Sequence, residues 1–217
     1  MKIHCNFTGG NIDVKNISGD NVFVERQLRD TVEEWFYWAF CVEGAAGKKL
    51  TFHFEKARLG HFGPAVSHDL KEWHWLDSCD GDTFTYEFAE NENKVYFAHN
   101  MLYLPDRFYA LAENLELEVE KLCTGYKGRS VPCVKFGDGN ISVILTSRHH
   151  CCESTGNYVL EGVLTELREN PCNDIKVFCV PFVDFEGVVD GDQGKNRAPF
   201  DHNRDYKADT DPIYPET

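Results

Sequence analysis

Two loops of this 217-residue chain carry side chains able to hold ions. The first, Arg148-His149-His150-Cys151-Cys152-Glu153-Ser154, contains a His150-x-x-Glu153 spacing. An imidazole and a carboxylate three positions apart at a strand-to-helix turn can converge on one cation, and zinc accepts both at about 2.0–2.2 Å. The same spacing also suits an exposed histidine beside a glutamate that complements the N-terminus of the next helix. The second loop, 184–206, ends in Asp201-His202-Asn203-Arg204-Asp205-Tyr206. A guanidinium next to a side-chain amide can grip a carboxylate through its planar fork and one further donor. An ordinary surface ion pair of Arg204 with Asp201 or Asp205 is the alternative. Cys151-Cys152 leaves three readings open: a thiolate ligand to zinc, a nucleophile activated by His149 or His150, or small residues filling a tight loop.

The elements around these loops are readable from periodicity. Ile141–Ser147 reads as a strand leading into the first loop. A helix follows over Thr155–Glu169, with Val159, Val163, Leu164 and Leu167 on one stripe and Pro171 and Asn173 as its stop. Ile175–Val183 is an almost unbroken apolar run, the pattern of a strand buried on both faces. Strand, helix and strand at this spacing predict a right-handed parallel βαβ unit. Ligands of open α/β sheets bind beyond the carboxyl ends of the strands, so both loops are expected on one rim. Upstream, Ser130–Phe136 and Ile141–Ser147 flank Gly137-Asp138-Gly139-Asn140, which reads as a hairpin turn. Pro105–Lys121 has helical spacing through Phe108, Leu111, Leu115 and Val119. Before it, strand patterns at Asn21–Gln27, Trp35–Phe40, Leu50–Phe54, Phe84–Phe88 and Val95–Ala98 suggest a β-sandwich. The expected fold is α+β with two domains: an N-terminal antiparallel β-sandwich over 1–104, then the first part of an α/β domain over 105–217.

With 42% hydrophobic and 13% aromatic residues the chain can fill a core. A net charge of −14 argues against nucleic-acid partners, which select basic surfaces. No stretch is long and apolar enough to cross a bilayer, and the N-terminus turns polar at once, unlike a signal peptide. Nine cysteines, an odd number without a framework, predict a reducing compartment, the cytoplasm.

Taken in order, the segments resemble the zinc metallocarboxypeptidase family, in particular its cytosolic carboxypeptidase-like subfamily. Gly128-Arg129-Ser130-Val131-Pro132 is similar to the opening of that family's catalytic domain, and Ser147–Ser154 to its metal loop. Val180–Val188 stands where the family has a Pro-x-x-Asn-Pro-Asp-Gly-Val segment, and Asp201–Tyr206 resembles its Asp-x-Asn-Arg motif. Glu34-Trp35-Phe36-Tyr37 resembles an aromatic strand of the sandwich that precedes the catalytic domain in this subfamily.

The resemblance implies a Zn2+ cofactor, with His150 and Glu153 as two of its three protein ligands. It implies that Asn203 and Arg204 hold the terminal carboxylate of a peptide or protein tail. The family's carbonyl-polarising arginine falls near Gly194, so Arg197 is expected to take that role, with Lys195 next in line. A zinc-activated water would attack the last peptide bond, and a glutamate would serve as base. The family's third ligand, a histidine, and its catalytic glutamate lie downstream of the Asn-Arg motif, and this sequence ends eleven residues after Tyr206. It is therefore expected to be a fragment. His149 should diverge from its neighbour His150, and His202 should be structural, so neither completes the ligand set. The activity so implied is a metallocarboxypeptidase; the alternatives are an N-acyl-amino-acid deacylase using the same zinc site and a non-catalytic peptide-binding relative.

Overall fold

Short apolar and aromatic segments separated by turn residues give nine strands among the described residues of the first hundred. In the computed structural model, which describes residues 1–217 except 57, 58, 61 and 78, the chain divides into two compact units. The first comprises Met1–Leu102 with Asp190–Gln193, the second Tyr103–Val189 with Gly194–Thr217.

The first unit contains β1 (Lys2–His4), β2 (Asp13–Ser18), β3 (Asn21–Glu25), β4 (Ala39–Glu43), β5 (Lys49–Phe54), β6 (Ala65–Ser67), β7 (His74–Trp75), β8 (Thr83–Glu87) and β9 (Lys94–Ala98). These make two sheets, β1-β4-β9-β6-β7 and β2-β3-β5-β8. Phe40, Val42, Val95 and Phe97 from one sheet meet Val22, Val24, Leu50, Phe52 and Phe84 from the other in a single core. This is the expected sandwich, with side chains of the two inner faces interdigitating. One pair departs from the antiparallel rule, since β3 runs parallel to β5. The aromatic strand expected at Trp35–Phe40 starts only at Ala39. Before it, a side chain replaces the ladder: the Tyr37 N–H donates to Gln193 Oε1 (2.9 Å) and Gln193 Nε2 donates to the Tyr37 carbonyl (2.8 Å).

The second unit contains α1 (Pro105–Asn114), β10 (Val119–Thr124), β11 (Ser130–Phe136), β12 (Ile141–Thr146), α2 (Thr155–Glu169), β13 (Ile175–Val180) and the short α3 (Phe185–Asp190). Its sheet order is β10-β11-β13-β12. β12 and β13 are parallel and flank α2, as the βαβ reading requires. No helix among the described residues is long and apolar enough to cross a membrane.

Three expectations fail here, each for a local reason. The hairpin between β11 and β12 does not form, because β13 lies between them and pairs with both. The Gly-Asp-Gly-Asn segment instead crosses the start of β13, where the Gly139 N–H donates to Ile175 O (3.1 Å). A Cβ on Gly139 would lie 2.0 Å from the Asp174 carbonyl carbon, so this glycine serves close backbone approach. Helix α1 ends seven residues earlier than its periodicity predicts, and Val119 and Lys121 belong to β10. Glu116 adopts φ +52° and the Leu117 N–H reaches back to Ala112 O (2.8 Å), a Schellman stop that usually carries glycine. On α2, Asn157, Leu160 and Leu164 face the core, whereas Val159 is 65% exposed.

The corrected face of α2 is checked by paired truncations. Leu164→Ala should destabilise by about 2–5 kcal/mol, and Val159→Ala by no more than about 0.5 kcal/mol, both read from urea unfolding. A second check uses the bidentate pair of Arg107 on α1 with Glu161 on α2, both contacts at 2.9 Å. Burial pushes the Glu161 carboxyl up, but hydrogen bonds from Arg107 and Tyr103 and the Arg107 charge outweigh it and hold it below the usual range. A depressed carboxyl contributes stability above its unfolded value and loses it as pH falls through the folded one. The stability gap between wild type and Glu161→Gln should therefore be full above about pH 4.3 and close in more acidic solution.

Candidate functional site

Parallel pairing of β12 and β13 continues past the last strand residues and sets both loops side by side. The Ser147 N–H donates to Val180 O (3.2 Å), Val183 N–H to Ser147 O (2.9 Å) and Asp184 N–H to Arg148 O (2.9 Å). Arg148 takes φ +61° at this turn; its buried guanidinium donates to Tyr103 O (3.2 Å) and Asn157 Oδ1 (3.4 Å). His150 and Glu153 are thereby held at the carboxyl edge of the sheet.

His150 Nδ1 stands 3.3 Å from Glu153 Oε2. Two ligands at about 2.1 Å from a tetrahedral ion lie about 3.4 Å apart, so this separation fits a shared zinc. On the far side of the ring, His150 Nε2 is buried without a hydrogen-bond partner of good geometry and lies 3.3 Å from Asp201 Oδ2. A carboxylate behind the second ring nitrogen is the usual way to fix the tautomer of a metal-binding histidine. The other Asp201 oxygen accepts the Arg197 backbone N–H (3.0 Å). Glu153 Oε1 is taken by Lys195 Nζ at 2.6 Å, leaving Oε2 to face His150. Burial pushes the Glu153 carboxyl up, while Lys195 and then His150 draw it below the usual range.

Arg197 is committed elsewhere. Its Nη2 lies 2.9 Å from Asp184 Oδ2, with the two side chains 4% and 0% exposed, and its Nη1 donates to Tyr126 Oη (2.9 Å). Asp184 in turn accepts the Gly187 N–H (3.0 Å), in the manner of a helix N-cap for α3. Gly194, where the resemblance would place an arginine, has φ +72°, and a Cβ there would lie 2.5 Å from the Cys151 nitrogen. Backbone packing therefore selects glycine at that position.

Asn203 and Arg204 lie exposed on a 3-10 turn, His202–Arg204, that begins beside Asp201. His149 diverges from His150, its Nε2 lying 2.9 Å from Tyr206 Oη; burial first, then His202 and His150, hold its pKa low. His202 is buried, 2.8 Å from Glu216 Oε1 and stacked on Tyr214 at 3.9 Å, which is a structural setting. Cys151 and Cys152 are buried, and burial pushes the Cys152 thiol up to about 12, a setting that favours small residues filling a tight loop. Among the described residues, no third His, Cys, Asp or Glu joins His150 and Glu153 in a three-ligand cluster; the one such cluster is His4, Cys41 and Glu43. The contact of Asp201 with His150 and that of Asp184 with Arg197 escaped the sequence reading. An aspartate two positions before an Asn-Arg pair and another at a helix start were the available signals.

Residues 3–99 match the cytosolic carboxypeptidase N-terminal domain family. An uncharacterized protein of Zymomonas mobilis subsp. mobilis is 27% identical over 183 residues, 78% of this chain and 48% of that relative. A candidate carboxypeptidase A from Shewanella denitrificans OS-217 superposes with TM-score 0.81 and 23% identity, over 97% of this chain and 62% of that one. A metallo-carboxypeptidase from Burkholderia cenocepacia gives TM-score 0.74 and 21% identity, over 90% of this chain and 59% of that one. The Pseudomonas aeruginosa metallo-carboxypeptidase, in complex with (2-guanidinoethylmercapto)succinic acid, gives TM-score 0.74 and 22% identity, over the same shares. At these identities the structural likeness is one of fold. The chain spans about half the length of the curated relative and about three fifths of the structural neighbours.

The buried Asp184–Arg197 pair makes a test of what holds the second loop. Arg197→Met strands a buried carboxylate and should destabilise by about 3–5 kcal/mol. Adding Asp184→Asn should recover part of that loss, because the two changes share one interaction. Thermal unfolding of the two single variants and the double variant measures this coupling.

Proposed function

From a chain whose residues 3–99 match the cytosolic carboxypeptidase N-terminal domain family and whose fold is similar to carboxypeptidase structures, we propose a zinc-dependent metallocarboxypeptidase that removes C-terminal residues from peptides or protein tails. The observation that carries this reading is the 3.3 Å approach of His150 Nδ1 to Glu153 Oε2. It is supported by the second carboxylate behind the same imidazole, Asp201 Oδ2, also at 3.3 Å. His150 and Glu153 would hold the ion. The chemistry that zinc supplies when bound is Lewis acidity, which polarises a carbonyl and acidifies a water.

The residues of the chain divide the remaining work. With an ion bound between Nδ1 and Glu153, the imidazole proton would sit on Nε2, where Asp201 Oδ2 lies 3.3 Å away. Arg204, with Asn203 beside it on the exposed turn, offers a guanidinium fork and an amide to a terminal carboxylate. Of the two cations considered for the scissile carbonyl, Arg197 is held by Asp184 and Tyr126. Lys195 stands on the metal-facing glutamate, and we assign carbonyl polarisation to it, leaving Arg197 to fix the loop. Two protein ligands are fewer than the three usual for catalytic zinc, so this reading requires a third ligand and a general base beyond the residues named. Nine cysteines, an odd number without a framework, support placing the protein in the cytoplasm.

The full-length protein should bind zinc in a form that Glu153→Gln and His150→Ala each weaken, as measured by metal analysis after dialysis. Arg204→Ala should lower kcat/KM on peptides by tenfold to hundredfold, the loss of about 1.5–3 kcal/mol typical of a hydrogen bond to a charged group. Amidating the peptide C-terminus should cause a similar loss in wild type and little further loss in Arg204→Ala. Activity that survives complete metal removal would refute the proposal. Peptide binding without turnover would favour the non-catalytic relative, and faster hydrolysis of N-acyl amino acids than of peptides would favour the deacylase.

A further inference from the structure

We propose that His4, Cys41 and Glu43 form a second, separate metal site in the first unit, suited to zinc. It does not depend on the reading of His150 and Glu153. Strand pairing builds the site. β1 and β4 are antiparallel with His4 directly opposite Cys41, and Glu43, two residues further along β4, points to the same face of the sheet. One ligand atom from each residue lies within 4.8 Å of the other two, and His4 Nε2 is 3.5 Å from Glu43 Oε1. Cys41 is fully buried, whereas the His4 and Glu43 side chains are 13% and 37% exposed. The set therefore has a buried soft donor and an open side through which an ion can enter. Imidazole, thiolate and carboxylate are the three donor types zinc uses, and three protein ligands leave a fourth position open. A His4–Glu43 ion pair alone would need no thiol on this face.

Binding requires small, specified rearrangements. Lys94 Nζ lies 3.9 Å from Glu43 Oε1 and 5.0 Å from the Tyr96 ring centroid; an ion replaces the first contact and leaves the ammonium over the ring. The Asn6 N–H donates to His4 Nδ1 (3.2 Å), so ligation through Nε2 moves the imidazole proton to Nδ1 and ends that contact. Burial pushes the Cys41 thiol up to about 11, against the pull of Lys94 and Lys2 and with the push of Glu43. A sulfur–metal bond thus replaces the S–H bond, and the proton goes to solvent.

The test uses the 217-residue chain, reduced and stripped of metal, with His150→Ala and Glu153→Gln introduced to remove the other pair. It should still bind one equivalent of Zn2+, and Co2+ should produce a thiolate-to-metal charge-transfer absorption. Cys41→Ser should abolish that absorption and lower zinc affinity by more than the tenfold to hundredfold typical of losing an outer partner. Should Cys41→Ser fail to fold, judged by circular dichroism, the partly exposed His4→Gln and Glu43→Gln carry the same expectation of weakened binding. The proposal is overturned if the His150→Ala, Glu153→Gln chain binds no zinc. It is equally overturned if the three substitutions leave affinity and absorption unchanged. Zinc bound by wild type and lost on His150→Ala alone would sink this site while leaving the carboxypeptidase reading intact; the converse result would do the opposite.

Discussion

One carboxylate holds the candidate site together. Asp201 uses one oxygen against the His150 ring and the other against the Arg197 backbone, so a single side chain ties the loop after β12 to the loop after β13. The distance between His150 and Glu153 has meaning only if the ring cannot rotate. Asp201, fifty-one residues away in sequence, lies against the far nitrogen of that ring. The exposed turn bearing Asn203 and Arg204 starts at the same aspartate, so the placement of that pair is tied to the placement of the His150 ring.

Around this point the protein places charge where water is scarce and sets opposite charges against one another. Asp184 and Arg197 are both buried and face one another. Glu186, also buried, accepts the backbone N–H groups of Lys127 and Arg129 and pairs with the Arg129 guanidinium. Such pairs add little net stability relative to apolar packing, yet removal of one partner is costly. Their value is that they admit one loop arrangement. The segment after Arg204 is ordered in the same way, with Asp205 accepting from the Ile213 and Tyr214 backbones and from Thr217 Oγ1.

Much of this was legible in the sequence, and the gaps have physical causes. Helix α2 was bounded correctly because its periodicity, its polar start and the proline beyond it agree. The sandwich was legible because β3 and β5 alternate buried with less buried residues and the aromatic segments are broken by turn residues. Helix α1 was over-extended because a glutamate occupies the left-handed stop that glycine normally marks. The false hairpin arose because a glycine-rich tetrapeptide signals either a tight turn or a close crossing, and only the insertion of β13 decides between them. In the site, the histidine and glutamate were visible from their spacing. The roles of Asp201 and Asp184 were not, because a supporting carboxylate acquires its function only when distant loops close on one another.

The division of the chain has a consequence for heredity. Asp190–Gln193 belongs to the first unit although the residues on both sides of it belong to the second. The polypeptide therefore passes between units three times, at 102–103, 189–190 and 193–194. Two modules joined by simple end-to-end gene fusion would show one passage. Neither unit here can be exchanged by a single recombination event without leaving four residues behind, among them the glutamine that satisfies Tyr37.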